Sequence, residues 1–135
     1  GGTFQLIGND SRVRLADVST NSYDSWKSFE LRHHVKIVRD ANNYLNEVER
    51  ALKHLTGVQF LVYNAGMDPF EGCNIGGLPG ITREVLQRRE KLVADWCREN
   101  KVPALYVLAG GYEGPNLDLD GVARLHLLTI TEFVQ

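Results

Sequence analysis

Apolar residues recur along this chain with two different spacings, and the alternation between them predicts its elements. In "RVRLADVST" (residues 12–20), Val13, Leu15 and the step Ala16–Asp17–Val18 are short and β-rich, which predicts a strand. The following "NSYDSWKSFELRHH" carries turn formers and two aromatics and reads as a long loop. "HVKIV" (residues 34–38) reads as a short strand. In "DANNYLNEVERALKHLTG", Tyr44, Val48, Leu52 and Leu55 recur at helical spacing. They lie between Asp40, a capping residue, and Gly57, a helix stop.

"VQFLVYNAG" (residues 58–66) is a nearly continuous apolar run, the pattern of a strand buried on both faces. Residues 69–80 then hold four glycines and two prolines, which predicts a loop. Thr82 is placed to cap the helix "REVLQRREKLVADWCRENK". Val85, Leu86, Leu92, Val93, Trp96 and Cys97 form its inner face, and Arg83, Arg88, Arg89 and Arg98 are assigned to the solvent side. "VPALYVLAGGY" supplies a second buried strand, Ala104 to Ala109, ending in Gly110–Gly111–Tyr112, and a last helix is predicted over residues 121–133. Strands alternating with helices predict an α/β fold, a three-layer sandwich with a mostly parallel sheet covered on both faces. With no repeat, low-complexity tract or linker, residues 1–135 read as a single domain.

Composition narrows the function classes. A chain of 135 residues, 43% hydrophobic, buries a core of ordinary size. Fifteen basic against seventeen acidic residues give a net charge of −2, so no nucleic-acid partner is expected. Cys73 and Cys97 make no disulfide framework, which suits a reducing, cytoplasmic setting. No apolar run approaches the ~20 residues of a membrane helix. "GGTFQLIGND" lacks the basic-then-apolar order of a signal peptide.

In α/β folds ligands sit beyond the carboxyl ends of the strands, where Asp68 and Tyr112 both fall. Asp68 admits two readings, a metal ligand or general base, or a cap accepting backbone N–H bonds. Tyr112 follows two glycines that let the chain bend sharply; its phenol is either a hydrogen-bond donor to an oxyanion or a partly buried aromatic lid. The loop "EGCNIGGLPG" fits neither GxxxxGK[ST] nor GxGxxG, so a nucleotide-binding reading is the weakest of those considered. Cys73 reads as a loop thiol and Cys97 as core filler. His33 and His34 read as a structural or solvated pair or a proton shuttle; His54 and His126 show no metal spacing. Asp24 and Trp26 are assigned to loop packing or a pocket rim.

Taken together, "NAGMDPFEGCNIGGLPGITREVLQRRE", "VPALYVLAGGY" and "RLHLLT" resemble, in order, blocks of the zinc-dependent histone deacetylase family. "GGT" and "RVRLADVSTNSYD" resemble the stretch that follows the family's first metal motif. The resemblance implies that Asp68 is a zinc ligand, that Tyr112 donates its phenol to the tetrahedral intermediate of acetyl-amide hydrolysis, and that Gly110 and Gly111 bring the tyrosine to the metal, with Gly66 and Pro69 shaping the pocket or loop. The family's Asp-x-His motif and its His-His pair lie upstream of the GGT-like segment and are absent here, and Cys73 replaces an Asp common in the loop. The resemblance therefore implies the C-terminal half of a deacetylase fold, a fragment or truncated member inactive alone. Zinc is implied for a complete family member, with no cofactor as the other expectation for this chain. The expected partners are a second copy or a complementing N-terminal half, since half of a parallel sheet leaves an apolar edge and face open. The alternative is a non-catalytic binding or interaction domain that has lost the metal site.

Overall fold

The computed structural model describes residues 3–22 and 33–134, and their arrangement is α/β. Helix α1 (Thr3–Ile7) comes first, followed by strands β1 (Leu15–Ser19) and β2 (His33–Ile37). A single 3₁₀ turn, Ala41–Asn43, leads into α2 (Tyr44–His54). Strand β3 (Leu61–Gly66), helix α3 (Arg83–Asn100), strand β4 (Ala104–Ala109) and helix α4 (Leu119–Val134) complete the order. Asp24 and Trp26 lie outside the described residues.

Local chemistry sets most element ends. The Asp40 side chain accepts the Asn42 N–H at 3.0 Å and so opens the turn into α2. Thr82 Oγ1 accepts the Val85 N–H at 3.4 Å at the start of α3. Strand β3 begins at Leu61 rather than at residue 58, because Val58 still closes a turn on Leu55 and the first bond across the sheet is Leu61 N–H to the Pro103 carbonyl. Helix α4 begins two residues before the expected position, where the Asp118 carboxylate accepts the Gly121 N–H at 2.8 Å. Helix α1, which the apolar pattern does not predict, sets Phe4 edge-on against the His33 ring at 5.5 Å.

The described strands form two parallel pairs, β1 with β2 and β3 with β4, rather than the single continuous sheet expected. Parallel strands require a crossover, and α3 provides it between β3 and β4. Tyr63 and Tyr106, opposite each other in register, turn toward Phe133 of α4, with ring centroids at 6.0 and 5.1 Å. The other face of this pair is open: Val62, Leu105 and Val107 are 62%, 53% and 46% exposed. Burial on both faces, expected from the apolar run, is thus not found among the described residues. The core lies on the helix side, where Tyr44, Val48 and Leu52 of α2 meet Leu86, Val93 and Cys97 of α3 and Leu125 and Leu128 of α4. Cys97 is the core filler its helix face implied.

Candidate functional site

The register of β3 and β4 decides what can meet beyond them. Gly66 pairs with Ala109, so the two strands end side by side and both chains leave the sheet at one level. Two residues past β3, Asp68 turns back toward the other strand end, and its Oδ1 accepts the Gly111 N–H at 3.2 Å. A Cβ on Gly66 would stand 2.8 Å from Asp68 Oδ2, and a Cβ on Gly110 would run into the carboxylate itself. Gly110 and Gly111 hold φ of +69° and +97°, a region that L side chains rarely adopt. The two glycines and the carboxylate therefore need one another's space. Tyr112 follows directly and is 44% exposed, leaving its ring accessible to a ligand.

Other groups gather at the same place. Pro69 is buried at the start of the loop. Cys73 Sγ contacts the Met67 carbonyl at 3.4 Å. Burial pushes this thiol up, the Tyr112 backbone N–H pulls it down, and the Asp68 charge pushes it up again; the net shift is upward. Such a thiol is a poor nucleophile at neutral pH. The glycine loop spends several N–H groups on itself: Leu78 bonds the Pro69 carbonyl, Ile81 the Leu78 carbonyl, and Gly80 the Glu71 carboxylate at 2.9 Å. These donors are not arrayed toward a phosphate.

The histidines separate by role. His33 Nδ1 accepts the Leu15 N–H at 3.1 Å, which leaves Nε2 to donate to the Gly8 carbonyl at 2.8 Å, so this buried ring ties the first residues to β1. His34 and His54 face each other at 5.8 Å between centroids, away from the strand ends. His126, on α4, is the histidine at the site: its Nε2 donates to the Gly110 carbonyl at 3.0 Å.

Arg89 was assigned to the solvent side of α3, and the structure overturns that assignment. It is 6% exposed and Glu90 beside it is 0% exposed. Arg89 Nη1 donates to the Gly66 carbonyl at 2.7 Å and to Tyr44 Oη at 3.1 Å, while Nη2 reaches Met67 Sδ at 3.4 Å. Its Nε donates to Glu90 Oε1 at 2.7 Å, and that oxygen also accepts from Tyr63 Oη at 3.1 Å. Burial opposes the guanidinium charge, but Tyr44, Tyr63 and Glu90 around it hold the group protonated well above its ordinary value. Burial also raises the Tyr63 phenol far above its usual range. The phase of α3 contained the signal: positions 89 and 90 continue the inward stripe of Leu86, Val93 and Cys97, spaced by three to four residues.

A carboxylate is suitable chemistry for a zinc ligand, yet such sites use three or more protein ligands. Among the described residues no group of three or more His, Cys, Asp or Glu could hold a metal ion. Asp68 as a zinc ligand would need partners beyond these residues.

Comparison with known proteins gives a distant likeness. The chain is 25% identical over 114 residues to "Histone deacetylase 2" of Arabidopsis thaliana, an alignment covering 78% of this chain and 29% of that protein. The aligned part thus spans under a third of that protein's length. No family model matches the chain, and no solved structure matches it. The relationship is deacetylase-like and distant.

Proposed function

We propose that this chain carries the strand-end portion of a deacetylase-like amide hydrolase that acts on acetylated lysine or an acetylated polyamine-type amide and is inactive by itself. The observation that carries the reading is the Asp68 carboxylate fixed on the Gly111 N–H, one residue before the exposed Tyr112. A phenol at that position donates a hydrogen bond to the oxygen on which charge develops when water adds to an acetyl amide. Asp68 supplies one carboxylate ligand, and the remaining ligands come from a complementing N-terminal half. Zinc, held by Asp68 and by ligands of the complementing half, would supply Lewis-acid polarisation and water activation there. A Cβ on Gly66 or Gly110 would meet the Asp68 carboxylate, and one on Gly111 would crowd Val122 and Met67. In the same reading the complementing half covers Val62, Leu105 and Val107, and sedimentation with and without it separates that outcome from pairing of two copies.

The test is hydrolysis of an acetyl-lysine peptide by the chain combined with a deacetylase N-terminal half, with zinc content measured in parallel. Tyr112→Phe is expected to lower kcat about 10²- to 10³-fold, the cost of one oxyanion donor. Asp68→Ala is expected to abolish zinc uptake as read by elemental analysis. A combined protein that neither binds zinc nor releases acetate overturns the proposal and leaves the non-catalytic binding domain.

A further inference from the structure

The two strands that frame the candidate site are each closed by a carbonyl, and each carbonyl is held by a side chain from the helix that follows its strand. At the end of β3, the Gly66 carbonyl accepts from Arg89 of α3 at 2.7 Å. Just beyond β4, the Gly110 carbonyl accepts from His126 Nε2 of α4 at 3.0 Å. The holds connect through the site. Arg89 also touches Met67, and a Cβ on Gly111 would lie 3.2 Å from Met67 Cβ and 3.7 Å from His126 Nε2. Residues 66 and 67 immediately precede Asp68, and residues 110 and 111 immediately precede Tyr112.

A helix crossover leaves the last carbonyl of a parallel strand without a ladder partner, which is costly at the part-buried Gly66, whereas the Gly110 carbonyl is exposed to water. Water can fill this need at an open strand end, but water leaves the peptide plane free to rotate. A guanidinium fixed on four sides, by Tyr44, Glu90, Gly66 and Met67, does not. Nor does an imidazole seated on a helix. We propose that Arg89 and His126 are positioning residues, which orient the peptide planes at the two strand ends and thereby set the Asp68 carboxylate on the Gly111 N–H beside Tyr112. The consequence for catalysis rests on the deacetylase-like reading; the geometric claim does not.

Amide hydrogen exchange at Gly111, read by NMR on the full chain, reports the Asp68 contact directly. His126→Leu removes the donor and is expected to speed Gly111 exchange about tenfold relative to the parent, the scale of one lost hydrogen bond. His126→Gln, which returns an N–H donor at similar reach, is expected to restore most of the protection. Leu128→Ala, in the core on the same helix, serves as the control for general destabilisation and is expected to leave Gly111 moving only with its β4 neighbours. Arg89→Lys keeps a cation against Glu90 but cannot reach all four partners, and the same acceleration is expected. Where that variant does not fold, Arg89→Gln with Glu90→Gln offers a neutral pair in its place. Gly111 exchange that tracks the Leu128→Ala control in both positions overturns the proposal. Gly111 exchange that responds, in a chain that neither binds zinc nor releases acetate when combined with a deacetylase N-terminal half, sustains positioning and sinks the deacetylase reading instead.

Discussion

Arg89 shows how a single side chain can reverse its expected role. Arginine is most often a surface residue, and a helix rich in Arg, Lys and Glu offers many places to read as solvent face. Here the guanidinium and the Glu90 carboxylate enter the interior together, and neither could do so alone. Arg89→Met leaves Glu90 buried and unpaired, with its Oε2 already lacking a partner. This variant is expected to lose about 3–5 kcal/mol of stability in urea denaturation. Arg89→Met with Glu90→Leu, which removes both charges, is expected to recover part of that loss, the remainder being the hydrogen-bond partners that Gly66, Tyr44 and Tyr63 lose. Asp68 is the opposite case. Its place at a strand end was legible from Asn64–Gly66–Asp68–Pro69 in the sequence, whereas its partner was not, since Gly111 lies 43 residues away.

At the scale of elements, helices and caps were the most legible features. Tyr44, Val48, Leu52 and Leu55 are all buried as their spacing implied, and Asp40 and Thr82 both cap. Strand β4 matches its expected bounds, and β2 is shifted by one residue at each end. The seam between β2 and α2 is expected to carry a pH dependence that the sequence did not reveal. His34 lies below its ordinary value of 6.5, first because burial disfavours the imidazolium and second because His54 faces it. Lys36 and Arg50 act in the same direction, and Glu47 acts against them. A group lowered in the folded state takes up its proton more readily when unfolded. Stability is therefore expected to fall as the pH drops through about 6.5, and to level off below the folded pKa. His34→Gln removes this contribution, so the difference between its urea midpoint and the parent's should shift in its favour from pH 7.5 to pH 5.5. A difference that stays constant across that range would sink the assignment.

For the molecule as a whole, the contrast between the two faces of the β3–β4 pair governs where substitutions matter. Leu86 is fully buried between α3 and the sheet, and Leu86→Ala is expected to cost about 2–5 kcal/mol. Val62 is an equally apolar residue of the neighbouring strand, yet Val62→Thr is expected to change stability by about 0.5 kcal/mol or less because its face is open. Thermal unfolding of the two variants against the parent checks both values. An apolar run states that both faces of a strand favour burial; it does not state what covers them. The continuous run of residues 58–66 was thus sound evidence for an α/β strand and insufficient evidence for a layer on each side.

The linear order of residues determined helices α2, α3 and α4, the caps of α2 and α3, the carboxyl ends of β3 and β4, and the presence of a carboxylate and a phenol beyond them. Those features depend on neighbours within a few positions, so short-range periodicity and capping chemistry are enough to specify them. Only the tertiary structure decided that Gly66 would sit opposite Ala109, that Asp68 would close on Gly111, and that Arg89 and His126 would turn in to hold the strand ends. Each of these joins residues 16 to 43 positions apart, or depends on which way a helix is rotated against the sheet. Such contacts are settled by packing the whole chain at once, because only the closed fold fixes register and rotation together.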